Sequence, residues 1–379
     1  MTVPVVTTYL PGTYTAPAVT TEVTTETVIY CPFESSGAAT TTAAPTTTAA
    51  AVPTSSSSDS PNLWSSIVAA TSIFDTSAAP SATAVASSSS TASAASSTST
   101  ASLGSSGNQW AMTYTPYDSD TGDCKSADTV SSDIKSIKDA GFSSVRVYST
   151  DCDTLPNVGS ACEENGLKMI VGIFISEVGC TNASPDVDDQ ISALKEWAQW
   201  DLVELLTVGN EALYDGYCTA QELVDLIDHV KSELSDYTGP YTTTDIVSAW
   251  QEESISSVVC DAIDVVAANV HSYFSADVAP ADAGQFVKGQ IEIVEQACGG
   301  KKGYVLESGY PTQGATNGVN VPSEANQKIA IMSIQETIGD SVVFFSMFDD
   351  YWKDPGSCEC ERHWGVGSLF GALGLGDNE

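Results

Sequence analysis

The strongest constraint on the fold of this chain is a regular alternation of short apolar segments with amphipathic segments after about residue 108. Eight apolar or β-branched runs recur along this part of the chain, over residues 110–114, 144–148, 168–173, 205–209, 241–244, 265–270, 303–306 and 341–345. Near-continuous apolar runs are typical of parallel strands that are buried on both faces. We therefore interpret the runs as eight parallel strands.

The segments between the runs carry helix signals. Val130, Ile134 and Ile137 fall on one face of a predicted helix. Thr219 and Glu222 have the spacing of a capping box, and they precede apolar residues that recur at helical spacing. Strands that alternate with helices in this way predict an α/β fold built from βα units.

The last helix is predicted to run from Pro322–Ser323 to Gly339, and its apolar residues are expected to be buried: Ile329, Ile331, Met332, Ile334 and Ile338. Eight strands alternating with helices favour a closed (β/α)₈ TIM barrel. A doubly wound open sheet is the alternative fold, but it would usually carry a glycine-rich phosphate loop after its first strand, and this sequence has none there.

The chain before the barrel has a different composition. Residues 1–34 are rich in Thr and Val and are interpreted as the remnant of a wall-associated region with one or two short strands. Residues 35–107 consist mostly of Ser, Thr, Ala and Pro, and lack the apolar groups needed to offset the entropy of ordering. We expect a disordered stalk there, either O-glycosylated or unmodified. Residues 108–379 form the predicted catalytic domain, with one N-glycosylation sequon at Asn182.

The charge of the chain excludes several classes of partner. The formal net charge is -36, from 13 basic and 49 acidic residues. Nucleic acids and anionic membrane surfaces are therefore not expected to bind, whereas a neutral polysaccharide is compatible with the charge. With 3 His and no CxxC pair, neither a metal site nor a cofactor is expected. We expect a monomer.

The cysteines indicate an oxidising compartment. Ten cysteines are dispersed along the chain, nine of them after residue 108, so at least one of these nine is free or pairs with Cys31. The first residues lack a secretory signal and no apolar run is long enough to cross a membrane. We expect a secreted, cell-wall or extracellular protein whose precursor is longer than this sequence.

Two glutamates follow predicted strands on nearly opposite sides of the barrel. The fourth run ends in Gly209-Asn210-Glu211, and the seventh ends in Glu307. The active sites of TIM barrels lie at the carboxyl ends of the strands, so these side chains are expected to face one cleft. Glycoside cleavage uses such a pair, with one carboxylic acid to protonate the leaving oxygen and one carboxylate.

Four segments resemble the signatures of glycoside hydrolase family 17, in its fungal cell-wall branch of β-1,3-glucanase-like and β-glucosidase-labelled proteins. They are residues 208–211 (VGNE), 267–271 (AANVH), 306–314 (LESGYPTQG) and 348–353 (FDDYWK). The resemblance covers about residues 108–370, and the segment around Glu307 is its most specific part. Tyr310 stands where the family more often has Trp, a difference that bears on sugar stacking.

The resemblance implies a retaining enzyme with Glu211 as general acid/base and Glu307 as nucleophile. In such an enzyme the two carboxyl groups lie about 5–5.5 Å apart. Glu211 must be protonated at the working pH, which requires burial or the nearby charge of Glu307 to raise its pKa. Asn210 is expected to donate a hydrogen bond to the sugar 2-hydroxyl.

Further polar and aromatic residues near the ends of the runs are candidates for substrate binding. Tyr114 and Tyr148 end the first two runs and are expected either to line the cleft or to pack in the core. Arg146, inside the second strand, is expected to pair with the catalytic carboxylates or to form a structural ion pair. The remaining candidates are His271, Tyr273, Tyr310, Trp352 and Lys353, with the Tyr273 hydroxyl as a predicted donor to the nucleophile.

Three functions are compatible with these residues. The first is hydrolysis of β-glucan, which is expected to be β-1,3-linked. The second is β-glucan transglycosylation or an exo-acting β-glucosidase activity at the same site. The third is a non-catalytic carbohydrate-binding wall protein. Both glutamates are intact, which favours an enzyme, since a binding protein has no need of the pair. A Schiff-base lyase is disfavoured because no Lys lies centrally in a run.

Overall fold

A computed structural model of the protein describes residues 5–9, 12–15, 20–23, 27–31, 103–181 and 184–372. Near the N-terminus, β1 (Val5–Tyr9) pairs antiparallel with β4 (Thr27–Cys31), and β2 (Gly12–Thr15) pairs antiparallel with β3 (Thr20–Val23). The predicted stalk lies outside the described residues up to residue 102, as does Asn182 of the glycosylation sequon.

Eight parallel strands close into a barrel, which confirms the predicted TIM-barrel fold. The barrel strands are β5 (Ala111–Thr113), β6 (Ser144–Val147), β7 (Lys168–Ile173), β8 (Val203–Asn210), β9 (Tyr241–Ile246), β10 (Val266–Asn269), β11 (Gly303–Ser308) and β12 (Val342–Phe344). Each strand pairs with the next along the chain, and β12 pairs with β5 to close the ring. Every predicted run therefore overlaps one strand of the barrel, and β8, β9 and β11 extend beyond the predicted bounds.

Within the described residues, eight α-helices follow the barrel strands, two of them after β9 and none after β12: α1 (Ala127–Asp139), α2 (Thr154–Asn165), α3 (Pro185–Trp197), α4 (Ala220–Glu233), α5 (Val247–Trp250), α6 (Glu253–Val259), α7 (Ala283–Ala297) and α8 (Glu324–Ile338). The predicted apolar face of α1 is buried, and the capping box of Thr219 and Glu222 at the start of α4 is present. On α8 the expected burial of Ile329 and Met332 is wrong. Their side chains are 45% and 46% exposed, because the buried face of α8 follows Ile331, Ile334 and Ile338 instead.

The apolar residues form two separate clusters, as expected for strands with two buried faces. The larger cluster lies where the strands pack against the helices. The smaller one contains alternate residues of the strands, among them Ile170, Leu205 and Leu306, together with Trp110. It fills the interior of the barrel, as is usual for this fold. Leu103 packs against this cluster, and Ser105 N–H donates to the Asp340 carbonyl.

Two disulfides join loops that follow neighbouring strands. Cys124–Cys152 links the loops after β5 and β6, and Cys180–Cys218 links those after β7 and β8. Cys260–Cys298 and Cys358–Cys360 complete the set seen in the described residues, where Cys162 is a free, buried thiol. The loops at the carboxyl ends of the first four barrel strands are therefore cross-linked in pairs. Within the described residues, no helix combines the length and the apolar character that crossing a bilayer requires.

A glycine in β7 allows close contact with the strand beside it. A Cβ atom at Gly172 would lie 2.4 Å from the Tyr148 carbonyl oxygen, which is backbone and cannot rotate away. We expect Gly172→Ala to lower the free energy of unfolding by about 1–3 kcal/mol, the usual cost of overpacking. Thermal or urea unfolding measures this change.

The matched control for this substitution is Gly289→Ala in α7, where an added Cβ meets no atom within 4 Å. It is expected to stabilise the protein by about 0.4–1 kcal/mol through the entropy of the unfolded chain. Equal effects of the two substitutions would contradict the packing argument.

Candidate active site

A cleft of about 510 Å³ opens at the carboxyl ends of the barrel strands. Its volume is within the range of about 300–1,000 Å³ that is usual for ligand-binding pockets. The lining residues come from loops after several strands and include Tyr148, Phe174, Asn210, Glu211, Phe345, Phe348, Trp352, Lys353 and Glu361. The site therefore lies on the face of the barrel where catalytic residues are expected.

The backbone around Glu211 is bent so that its side chain enters the cleft. The pairing of β8 with β9 shifts register between Thr207 and Asn210. Gly209 and Glu211 both have positive φ angles, of 82° and 54°. A left-handed φ is uncommon for a residue with a Cβ atom, and it persists where neighbouring contacts hold it. Here the Glu211 N–H donates to the Thr244 carbonyl at 2.9 Å.

The environment of Glu211 favours its protonated form. Burial raises the pKa of Glu211 to about 8, and the negative charge of Glu307 contributes in the same direction. A hydrogen bond from Asn269 Nδ2 to Glu211 Oε1, at 2.8 Å, opposes the rise. Because the raising effects dominate, Glu211 can hold a proton near neutral pH.

Glu307, in β11, is 2% exposed and has several donors around its carboxylate. Oε1 accepts from Arg146 Nη1 at 3.1 Å and from the Tyr148 hydroxyl at 2.7 Å. His271 Nε2 lies 3.4 Å from Oε2. Burial alone would raise the pKa of Glu307, but the hydrogen bond from His271, the Arg146 charge and the Tyr148 hydroxyl outweigh it and hold the pKa below its usual value.

Arg146 also fixes the amide of Asn210. Arg146 Nη2 donates to Asn210 Oδ1 at 2.7 Å, and Asn269 Nδ2 donates to the same oxygen at 3.0 Å. Asn269 is oriented in turn by the Thr244 hydroxyl, which donates to its Oδ1 at 3.0 Å. Since two donors occupy the Asn210 oxygen, its NH₂ group is the part available to the cleft.

Three of the candidate substrate-binding tyrosines make their contacts elsewhere. The Tyr114 hydroxyl donates to Asp133 on α1, the Tyr310 hydroxyl donates to Asn320, and none of the three lines the cleft. The Tyr273 hydroxyl donates to the Ala315 carbonyl at 2.6 Å, and it is Tyr148, not Tyr273, that donates to Glu307. Side chains along a strand and its extension point alternately to the two faces of the sheet. The sequence of an apolar run does not show to which face its last residue points.

The two candidates from the loop after β12 both line the cleft. Trp352 is 38% exposed and meets the Tyr117 ring edge-on, with centroids 5.6 Å apart. Gly122 packs beneath it, since a Cβ atom there would be 3.1 Å from the Trp352 ring. Lys353 pairs with Asp350 at 2.5 Å. Trp352 is therefore an exposed aromatic residue of the cleft whose ring packs against Gly122.

Sequence reasoning missed several groups of the site. Asn269 contacts Glu211 and is not among the predicted site residues, although it lies in one of the segments that resemble the family; its signal is a polar residue at the end of an apolar run. Glu361 and Phe174 also line the cleft. Phe174 is held by Gln190, whose side-chain amide bonds both its N–H and its carbonyl. Burial raises the pKa of Glu361. Its position depends on the fold of a long loop, which leaves no periodic pattern in the sequence.

Comparisons with known proteins identify the family of this chain. Curated relatives include probable β-glucosidase btgE of Neosartorya fischeri, 45% identical over 269 residues, which are 70% of this chain and 48% of the relative. The protein of the same name from Aspergillus flavus is 46% identical over 269 residues, 70% of this chain and 43% of the relative. The chain thus spans about half the length of the curated relatives it matches.

Among solved structures, a glycoside hydrolase family 17 β-1,3-glucanosyltransferase from Rhizomucor miehei superposes with a TM-score of 0.58. The match covers 68% of this chain and 92% of that structure at 23% identity, so it shows a shared fold. The model of the BtgE/BtgC glycoside hydrolase domain matches residues 111–365, which include every strand of the barrel, Glu211 and Glu307. This chain therefore belongs to the BtgE/BtgC glycoside hydrolase domain family.

Proposed function

We propose that the protein is a retaining glycoside hydrolase of family 17 that acts on β-glucan, with β-1,3 linkages as the preferred substrate. The observation that carries the proposal is the contrast between two neighbouring carboxyl groups: Glu211 lines the cleft, and Glu307 lies behind Tyr148, which lines the cleft and donates to it. Burial and a neighbouring charge raise the pKa of Glu211, whereas donors and a cation lower that of Glu307. Acid and carboxylate roles that differ in this way are what glycoside cleavage requires.

In the first step, Glu307 attacks the anomeric carbon of the bound sugar. The bond from that carbon to the glycosidic oxygen breaks, and Glu211 gives its proton to the departing oxygen. Asn269 donates to Glu211 Oε1, which leaves Oε2 to carry the proton. The product is a glucosyl ester of Glu307 with inverted configuration at the anomeric carbon.

In the second step, Glu211, now a carboxylate, takes a proton from water or from the hydroxyl of another sugar. The resulting nucleophile displaces Glu307 and restores the original anomeric configuration. Arg146 and Tyr148 stabilise the returning carboxylate because both bond to Glu307 Oε1. Water in this step gives hydrolysis, and a sugar hydroxyl gives transglycosylation at the same residues.

Asn210 is proposed to bind the sugar 2-hydroxyl. Its oxygen is occupied by Arg146 and Asn269, so its NH₂ group can only donate toward the cleft. A hydrogen bond to the 2-hydroxyl strengthens as positive charge develops on the sugar ring. Arg146 and Asn269 therefore orient the Asn210 amide toward the sugar, and they also donate to Glu307 and Glu211, respectively.

The lining of the cleft supports a neutral sugar polymer as substrate. Its carboxyl groups include Asp151, Asp215, Asp350, Asp354 and Glu361, which would repel an anionic sugar. Trp352 and Phe174 supply exposed aromatic faces of the kind on which sugar rings stack. The names of the btgE proteins and of the Rhizomucor miehei enzyme point to glucose polymers and to β-1,3 linkage.

The setting proposed for this activity is the cell wall or the extracellular space. The disulfides between loops of the described barrel support an oxidising compartment. We propose that residues 108–379 act as a monomeric catalytic domain. The active-site groups described above need neither a metal nor an organic cofactor for the two steps.

A non-catalytic binding protein is the competing function, and the first assay separates the two. The purified protein is incubated with laminarin oligosaccharides, and the products are resolved by size and by anomeric form over time. Early β-anomers or longer transfer products support the retaining mechanism. Unchanged β-1,3-, β-1,4- and β-1,6-glucans would contradict it.

Replacement of the nucleophile tests the assignment of Glu307. We expect Glu307→Gln to abolish turnover of laminarin oligosaccharides while binding to them persists, because the amide keeps the shape of the cleft but cannot form the ester. Calorimetric titration measures the binding. Glu177→Gln, on an exposed residue that does not line the cleft, is the control and should keep wild-type turnover. Equal turnover by the two variants would exclude Glu307 as the nucleophile.

The pH dependence of kcat/KM follows from the two carboxyl groups. Activity requires protonated Glu211, so it should fall as the pH rises through about 8, where Glu211 loses its proton. It also requires ionised Glu307, whose lowered pKa places the acidic limb below the usual value for glutamate. Asn269→Ala removes a donor that lowers the pKa of Glu211, so the alkaline limb should move to higher pH. A limb that moves to lower pH would contradict the assignment.

Trp352 is expected to bind sugar and to take no part in the chemistry. Trp352→Ala should raise KM for laminarin oligosaccharides about 2- to 12-fold, the equivalent of about 0.5–1.5 kcal/mol of aromatic contact, with kcat nearly unchanged. Tyr351→Ala is the control, since Tyr351 is the exposed neighbour that does not line the cleft. A fall in kcat alone would contradict this role.

A further inference from the structure

The turn that carries Glu211 is held on both sides by the last residues of β9. On one side, the Glu211 N–H donates to the Thr244 carbonyl at 2.9 Å. On the other side, the N–H groups of Leu213 and Tyr214 donate to Asp245 Oδ2 at 3.1 and 3.3 Å. Two consecutive residues of one barrel strand therefore fix the backbone before and after Glu211.

Asp245 is 1% exposed, and its carboxylate is bonded to backbone groups. Besides the two bonds to the turn, Oδ1 accepts from the Ile246 N–H at 2.8 Å. Among the described residues, no Lys, Arg or His forms an ion pair with it. Burial raises the pKa of Asp245 to about 7, and the three backbone hydrogen bonds oppose the rise. A buried carboxyl group without a cation is costly to keep unless its hydrogen bonds are specific and needed. Two of these three bonds serve the turn after Glu211.

The turn needs such support because Glu211 has a left-handed backbone. Its φ of 54° is unfavourable for a residue with a Cβ atom, at a cost of about 1–3 kcal/mol. A turn released from Asp245 could relax to a negative φ, and this rotation would move the Glu211 carboxyl away from Asn269 Nδ2. Glu307 lies in a different strand, β11, and has its own donors.

We propose that Asp245 is a positioning residue for the acid/base function of Glu211. The inference rests on the proposed function, in which Glu211 transfers a proton in both steps. Asp245 acts through the backbone of the turn, and its charge also contributes to the raised pKa of Glu211, but its side chain does not line the cleft. Its loss should therefore impair proton transfer and spare the attack by Glu307.

The test compares substrates whose leaving groups differ in their need for a proton. Laminaripentaose has a sugar leaving group that requires protonation, whereas 2,4-dinitrophenyl β-laminaribioside has a leaving group that departs as the anion. Asp245→Asn is expected to lower kcat/KM for laminaripentaose at least about tenfold, a part of the 10²–10⁴-fold that general acid–base catalysis supplies. The value for the dinitrophenyl substrate should change less than about threefold.

Azide gives a second readout that a purely structural role would not move. Azide attacks the glucosyl-enzyme without base assistance, so it should raise kcat for the dinitrophenyl substrate in Asp245→Asn, as in the reference variant Glu211→Ala. Asp245→Glu keeps the carboxylate but displaces it by one methylene. It should likewise lower kcat/KM for laminaripentaose and show a rise in kcat with azide. Thermal unfolding of each variant verifies that it is folded.

The matched control is Asp264→Asn. Asp264 accepts the Tyr241 N–H at 2.8 Å, at the opposite end of β9, and its side chain is exposed. Asp264→Asn should keep the wild-type ratio of kcat/KM for the two substrates, and azide should not raise its kcat. Equal losses on both substrates in Asp245→Asn, or no loss, would overturn the inference. Wild-type protein that cleaves neither substrate would instead overturn the proposed function.

Discussion

The buried ion pair between Arg146 and Glu307 is the interaction on which the rest of the site depends. The two side chains are 2% and 3% exposed and are joined at 3.1 Å inside the barrel. An isolated charge at that depth is so costly that breaking such a pair typically destabilises a protein by about 3–5 kcal/mol. The hydrogen bond from His271 and the charge of Arg146 keep Glu307 ionised, while burial and the charge of Glu307 raise the pKa of Glu211. These surroundings separate the proposed roles of two chemically identical side chains.

The same cation also sets the geometry of the neutral groups. By occupying the Asn210 oxygen it turns the amide NH₂ toward the cleft, and Asn269 completes the arrangement by bonding both Asn210 and Glu211. A network of this kind is stable only when each buried donor and acceptor has a partner. Replacing Arg146 would therefore alter charge, orientation and packing together, and Lys could not supply the two donors in the same plane.

The sequence was sufficient to predict the barrel, because eight apolar runs typical of buried strands alternate in it with segments of helical period. Both patterns follow from which residues are buried locally. It was also sufficient to place Glu211 and Glu307 on one face, since parallel strands share the direction of their ends. It could not assign the tyrosines: Tyr148 reaches Glu307, whereas Tyr273 bonds to the Ala315 carbonyl. Nor could it show that Asp245 supports the turn after Glu211. That contact joins the Asp245 side chain to backbone N–H groups 32 and 31 positions away, and backbone groups have no sequence signature.

The two glutamates also differ in how the backbone presents them, and the difference matches their proposed chemistry. A nucleophile needs one fixed direction of attack, and Glu307 lies within a regular strand with donors on both of its oxygens. An acid/base must serve a departing oxygen and then an incoming one, and Glu211 lies on a left-handed turn with a donor on Oε1. Strain at such a turn persists only while neighbouring contacts hold it. The strand that supplies those contacts, β9, is therefore as much a part of the site as the strands that carry the glutamates.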